Sequence, residues 1–198
     1  AAFGVENTAD RVYCGALCFG QDLSRESQEF AGAACVNPSG HKRREKFAHT
    51  ETGWGMKLSE YFELSEFEHS DTARAKGIVN RVPAELEPNV VRLHDNVLYP
   101  LRKLVGHPVR ITSGYRCAGL NKAVGGAENS QHSTGEAADI EVAGQSNSAV
   151  FNWIRKNCEF DQLILESVNG VQWVHVSFRF GGNRRQCLAY DGKKYVSI

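Results

Sequence analysis

The sequence predicts an α+β domain, a central antiparallel sheet flanked by helices. Three observations carry this. Val90, Leu93, Val97, Leu101, Leu104 and Val105 recur at helical spacing between Pro88 and Gly106, as in a long helix with one buried face. Residues 160–166 and 171–178 are strand-like runs on either side of Asn169-Gly170, the strongest short hairpin signal. Residues 109–112 and 137–142 add two further strand-like runs.

Taken in order, residues 1–56 read as an N-terminal extension and residues 57–198 as the main domain. In the extension, residues 8–18 suit a short helix with Cys14 and Cys18 on one face. Cys35 and His41 follow, leaving three readings open: a structural zinc site, a disulfide from Cys35 to Cys14 or Cys18, or buried thiols. Buried thiols are the commonest of the three. The basic run at residues 41–46 reads as a solvated face. No signal-peptide pattern opens the chain, and a processed or trimmed chain is the expectation.

From Lys57 the pattern firms. Residues 58–62 and 64–67 look like short elements. Ser70 can cap a helix through Lys76, ended by Gly77. Pro88 suits the first turn of the main helix, and Pro100 inside it predicts a kink. His94 lies by the apolar stripe and reads as a core histidine. His41, His49, His69 and His107 have no partner at a ligand spacing. Residues 109–112 form a strand that delivers Ser113-Gly114-Tyr115-Arg116. Asn121 is either a helix cap or a substrate contact. Ser146 can cap a helix through Asn157 that buries Val150, Trp153 and Ile154, and Asp191-Gly192 centres a closing hairpin. Cys117, Cys158 and Cys187 read as inert thiols. Six cysteines allow 15 pairings, among which the sequence does not choose.

Lys plus Arg and Asp plus Glu number 23 each, so no global field draws nucleic acid or an anionic membrane. No apolar run reaches the ~20 residues of a membrane span.

The chemistry concentrates in residues 130–139, Ser-Gln-His-Ser-Thr-Gly-Glu-Ala-Ala-Asp. His132 and Asp139 stand either side of Gly135, which lets a loop turn back so that the two side chains meet. His175 follows in Trp173-Val174-His175. Two imidazoles and one carboxylate make a catalytic zinc set, whose fourth position stays open to water. An Asn169-Gly170 turn pairs Val168 with Val171, Ser167 with Gln172, Glu166 with Trp173 and Ile164 with His175. Glu166 then shares a face with His175, diagonally adjacent. A carboxylate beside a zinc-activated water is the general base that amide hydrolysis needs.

These residues resemble the zinc D-alanyl-D-alanine carboxypeptidase-like peptidases, relatives of lysostaphin and of the hedgehog signalling domain. The pattern Ser-x-His-x-x-Gly-x-Ala-x-Asp is complete from Ser130 to Asp139. Trp173-Val174-His175 is similar to the second histidine motif, and Ser113–Arg116 with Asn121 to the substrate-binding segment. The likeness runs from about Met56 to about Leu188. It implies a hedgehog/DD-peptidase-like fold, with zinc on the sheet face bound by His132, Asp139 and His175. Hydrolysis of peptidoglycan stem peptides is implied, by a D,D-carboxypeptidase or a lytic endopeptidase of endolysin type. The implied substrate-binding set is Tyr115, Arg116, Asn121, Ser130 and Trp173, with Arg116 holding a carboxylate or polarising the scissile carbonyl.

The chain also departs from its relatives. Gln172 stands where vancomycin-resistance dipeptidases carry an acid, and Trp173 where other members carry a histidine. The base is then expected at Glu166, which resembles the acid ending the Phe-Asp-Gln-Leu-Ile strand of phage-type members. The rival reading is a zinc-stabilised wall-binding or protein-binding module of the same fold, without turnover.

Overall fold

The computed structural model describes residues 55–198. The cysteines, histidines and basic run of the extension lie outside the described residues.

Two short helices open the domain, α1 (Leu64–Glu68) and α2 (Asp71–Lys76). Glu66 reaches back to the Glu63 N–H at 2.8 Å, and Ser70 Oγ accepts from the Ala73 N–H at 3.2 Å. Each bond satisfies a donor that a helix start leaves open. The long apolar stripe is one helix interrupted once. α3 (Glu87–Leu93) runs through a π-helical turn at His94–Leu98 into α4 (Tyr99–Val105). Pro100 fixes the place of the interruption. It lacks the N–H that an α-helix would offer to the Asn96 carbonyl, and its ring crowds that carbonyl. The kink expected at the proline takes the form of this wider turn, in which the Tyr99 N–H reaches the His94 carbonyl.

His94 is buried, with Nδ1 2.8 Å from Asp95 Oδ1 and Nε2 3.0 Å from Ser59 Oγ. The order Ser–His–Asp invites a catalytic reading. However, Ser59 Oγ also accepts from the Tyr61 N–H, and the Ser59 N–H is spent on the Phe62 carbonyl. The series braces the turn at residues 58–62 against the helix.

The remaining elements are β1 (Val109–Ser113), α5 (Ala118–Ala123), β2 (Ala137–Val142), α6 (Asn147–Asn157), β3 (Gln162–Val168), β4 (Val171–Ser177), β5 (Gln186–Tyr190) and β6 (Tyr195–Ser197). They make one six-stranded sheet in the order β1-β2-β4-β3-β5-β6. Asn169 and Gly170 both adopt positive φ, 52° and 82°, as a tight hairpin turn demands. The β3–β4 register is the one that turn predicts, with Glu166 opposite Trp173 and Ile164 opposite His175.

The sheet is mixed, which corrects the expectation of a wholly antiparallel one: β5 pairs with β3 in parallel. The reason lies in the chain's exit from β4. Ser177 ends beside the start of β3, where the Asp161 N–H donates to its carbonyl at 2.7 Å. β4 is already flanked by β2 and β3, so the nearest open edge is the outer edge of β3. Residues 178–185 carry the chain to that edge at the same end, and Gln186 lands opposite Gln162.

One sheet face is apolar. Ala138, Ile140, Leu163, Val174 and Val176 are fully buried there, together with Val150, Phe151 and Ile154 of α6. Trp153 is partly buried and packs against this core, and Phe151, not singled out by the sequence, is buried more fully. The opposite face carries the chemistry in two rows. Ser113, Asp139, His175, Ile164 and Leu188 lie side by side across β1, β2, β4, β3 and β5. Two residues further along, Trp173, Glu166, Tyr190 and Tyr195 form a second row.

Candidate metal centre

The centre is assembled by register and one loop. β2 and β4 pair Asp139 directly with His175, both pointing from the chemical face. His132 comes from the loop before β2, which turns back at Gly135 with φ 71°. A side chain there would be strained, and its Cβ would stand 3.2 Å from Val90 Cγ2. The loop is pinned at both ends of the turn: the Gly135 N–H donates to the His132 carbonyl and the Glu136 N–H to the Gln131 carbonyl.

His132 Nδ1 lies 2.7 Å from the Gly114 carbonyl oxygen. A carbonyl only accepts, so Nδ1 carries the proton and Nε2 of the neutral ring is a bare lone pair. Nε2 faces His175 Nδ1 at 3.2 Å and Asp139 Oδ1 at 3.3 Å, and His175 Nδ1 is 2.9 Å from Asp139 Oδ1. All three side chains are buried. Burial, foremost, holds His132 below the usual histidine range despite the Asp139 charge. Burial would raise Asp139, but the two histidines outweigh it and hold the carboxyl well below the usual range.

This donor set fits a metal. Around a tetrahedral zinc with bonds of about 2.0–2.1 Å, neighbouring ligand atoms stand roughly 3.3 Å apart. The three atoms here already form a triangle with edges of 2.9, 3.2 and 3.3 Å. Two imidazole nitrogens and one carboxylate oxygen suit zinc among the divalent ions. The groups behind the ligands are also in place. Gly114 orients His132, while Arg116 Nη2 donates to Asp139 Oδ2 at 2.9 Å, leaving Oδ1 to point inward.

A cleft of about 1170 Å³ opens over the triangle, and Tyr115, Arg116, Ser130, Glu166 and Trp173 line it. Glu166 is half-buried. Burial, then the charge of Asp139, pushes its pKa up, while His175 and Arg116 pull it back. Arg116 is committed on two sides, since its Nε also donates to Ser113 Oγ at 2.9 Å. Tyr115 is buried, and Ser130 Oγ accepts from the His132 N–H at 3.4 Å. Asn121 lies outside the cleft lining. It is buried inside α5 and donates its amide to the Ala127 carbonyl at 2.8 Å. There it clasps the loop before the metal motif, and it does not cap the helix, whose ends lie at Cys117 and Val124.

A model of the peptidase M15 family matches residues 60–177, more than half of the chain. The chain belongs to the peptidase M15 family. No curated protein matches it. The family is one of metal-dependent peptidases acting on peptidoglycan, and the matched residues include all three members of the triangle and Glu166.

Sequence reasoning passed over several residues at this M15 site. Asp161, wholly buried, accepts from Gln131 Nε2 at 3.0 Å and from Arg184. Gln131 adjoins His132, so Asp161 ties the loop that carries His132 to the start of β3. Tyr190 and Tyr195, stacked with centroids 4.4 Å apart, wall the cleft beside Glu166. The β5–β6 register pairs Tyr190 with Tyr195 on one face, but nothing local to the hairpin sets that face beside Glu166. The three described cysteines are free thiols, and burial pushes Cys158 up to about 11.

Proposed function

We propose that residues 57–198 form a zinc peptidase that hydrolyses amide bonds in peptidoglycan stem peptides, with Glu166 as general base. The supporting observation is the cross-strand register. It sets Glu166 opposite Trp173 and therefore diagonal to His175, on the face that carries the ligand triangle.

His132 Nε2, Asp139 Oδ1 and His175 Nδ1 would hold the ion. Bound there, zinc would supply Lewis acidity, lowering the pKa of a water to about 7 and polarising a carbonyl. Glu166 takes the proton of the attacking water and delivers it to the leaving amine nitrogen as the C–N bond breaks. Its raised pKa suits that return, because a carboxyl that holds a proton more readily is a better acid in the second half of the reaction. Arg116 keeps Asp139 oriented, and its remaining N–H groups face the cleft, where a substrate carbonyl or carboxylate can meet them. Trp173 and the two tyrosines keep one flank of the base apolar.

The test pairs elemental analysis for zinc with digestion of purified peptidoglycan by the wild type and Glu166→Ala. Stoichiometric zinc in both proteins, with new amino termini released only by the wild type, is expected. Zinc without cleavage by either protein would replace the peptidase by a binding module.

A further inference from the structure

The loop between β4 and β5 contributes two arginines to the cleft, Arg179 and Arg184. Arg184 is half exposed, and its partner Asp161 is fully buried. Nε donates to Asp161 Oδ1 at 2.8 Å and Nη2 to Oδ2 at 2.5 Å, while the Arg184 N–H adds a bond to Oδ1 at 3.0 Å. Gln131 supplies a fourth donor. One side of the guanidinium plane is therefore fixed. The end edge, Nη1 with the outer hydrogen of Nη2, has no protein acceptor among the described residues.

A guanidinium can bind two carboxylates at once, one along its Nε–Nη2 side and one across its end. Asp161 occupies the first position and freezes the side-chain rotamers, so a ligand at the second meets a donor pair already in place. If pairing with Asp161 were the whole role, Arg184 would have no need to line the cleft. Arg179 strengthens the point. Its backbone N–H is held by Asn183 Oδ1 at 2.9 Å, closing the loop. No carboxylate among the described residues lies within ion-pairing distance of its side chain.

We propose that Arg184, pre-set by Asp161 and assisted by Arg179, is a carboxylate-recognition subsite of the cleft that reads a free carboxylate of the stem peptide. The inference rests on the peptidase reading and deepens it. A stem peptide offers that group from two sources: its C-terminus, or the free α-carboxylate of a γ-linked acidic residue within it. Arg116 is distinct from this subsite: its Nε and Nη2 serve Ser113 and Asp139 beside the ligand triangle, whereas Arg184 is set by Asp161.

The experiment measures binding separately from turnover. Zinc-loaded Glu166→Gln protein is titrated calorimetrically with three synthetic stem peptides: the parent, one amidated at the internal carboxylate, and one amidated at the C-terminus. The same titrations are run with Arg184→Gln, Arg184→Lys and Arg179→Gln added. Arg184→Lys leaves a cation for Asp161 in case Arg184→Gln fails to fold, and Arg179→Gln touches only an exposed side chain. One amidation should weaken binding about tenfold or more, thereby naming the source. That penalty should vanish in the Arg184 variants and shrink in Arg179→Gln. The subsite is overturned if the penalty persists without the arginines, if neither amidation matters, or if no peptide binds. Peptidoglycan digestion by the wild type reads the parent proposal separately. Cleavage with no arginine effect sinks the subsite alone, and arginine-dependent binding without cleavage sinks the peptidase alone.

Discussion

Arg116 Nη2 sits 2.9 Å from Asp139 Oδ2, while Oδ1 of the same carboxylate points to the two histidines. The carboxylate is shared edge by edge between a fixed cation and the place of an ion. Its orientation is set before any ion arrives.

Arg116→Lys should therefore weaken zinc binding by about tenfold or more, the usual cost of losing an outer partner of a metal ligand. The charge is unchanged in this variant. What goes is the fork that serves Asp139 and Ser113 together. Competition against a chromophoric chelator measures the change. Wild-type affinity in the lysine variant would assign Arg116 to substrate alone.

Gly114 is the second support, and its environment leaves no room. A Cβ there would lie 2.5 Å from Phe67 Cα and 2.6 Å from the Phe67 carbonyl oxygen. These are backbone atoms of α1 and cannot step aside. Gly114→Ala should cost at least the ~1–3 kcal/mol of an overpacked core. It should also lower zinc affinity, because the Gly114 carbonyl fixes His132. Gly119→Ala is the control: it sits in α5 with only Ile78 Cγ2 near, at 3.9 Å, and should be neutral or mildly stabilising. Urea denaturation of the two variants side by side decides it.

Glu166 gives a pH dependence whose sign can be worked out. Its pKa is raised in the folded, metal-free protein, so the native state binds this proton more tightly than the unfolded chain. The stabilisation is complete below the unfolded value of about 4.3 and is lost as pH rises through the folded value. At pH 7 the ionised carboxylate is a net cost to the apoprotein. Metal-free Glu166→Gln should accordingly melt above the wild type at pH 7, and the gap should close near pH 4. Equal melting temperatures at pH 7 would contradict the burial of this charge.

Much of the site was legible in the sequence because it rests on local signals. Asn169-Gly170 fixes the β3–β4 register, and with it the face of Glu166, through the φ values a two-residue turn requires. Gly135 and the spacing of His132 from Asp139 announce a loop that returns to its own strand. What stayed hidden depends on partners far apart in the chain. The parallel pairing of β5 with β3 has no turn of its own to announce it. Arg184 reads as part of a polar loop until Asp161 is seen beneath it. Asn121 could not be assigned because the carbonyl it clasps lies in a loop of no regular pattern. Phe151, which the apolar spacing did not mark, is buried on α6 while Trp153 packs more partially against the same core.

The matched family segment ends at residue 177, and the strands that deliver Tyr190 and Tyr195 beside Glu166 come after it. The triangle and Glu166 thus lie within the matched stretch, and the two tyrosines that wall the cleft lie beyond it. β6 is fully exposed and joined to the sheet on one side only, so its side chains can change with little cost to the core. Side chains on that edge strand can therefore be exchanged to reshape one wall of the cleft while the buried triangle of His132, Asp139 and His175 keeps its packing.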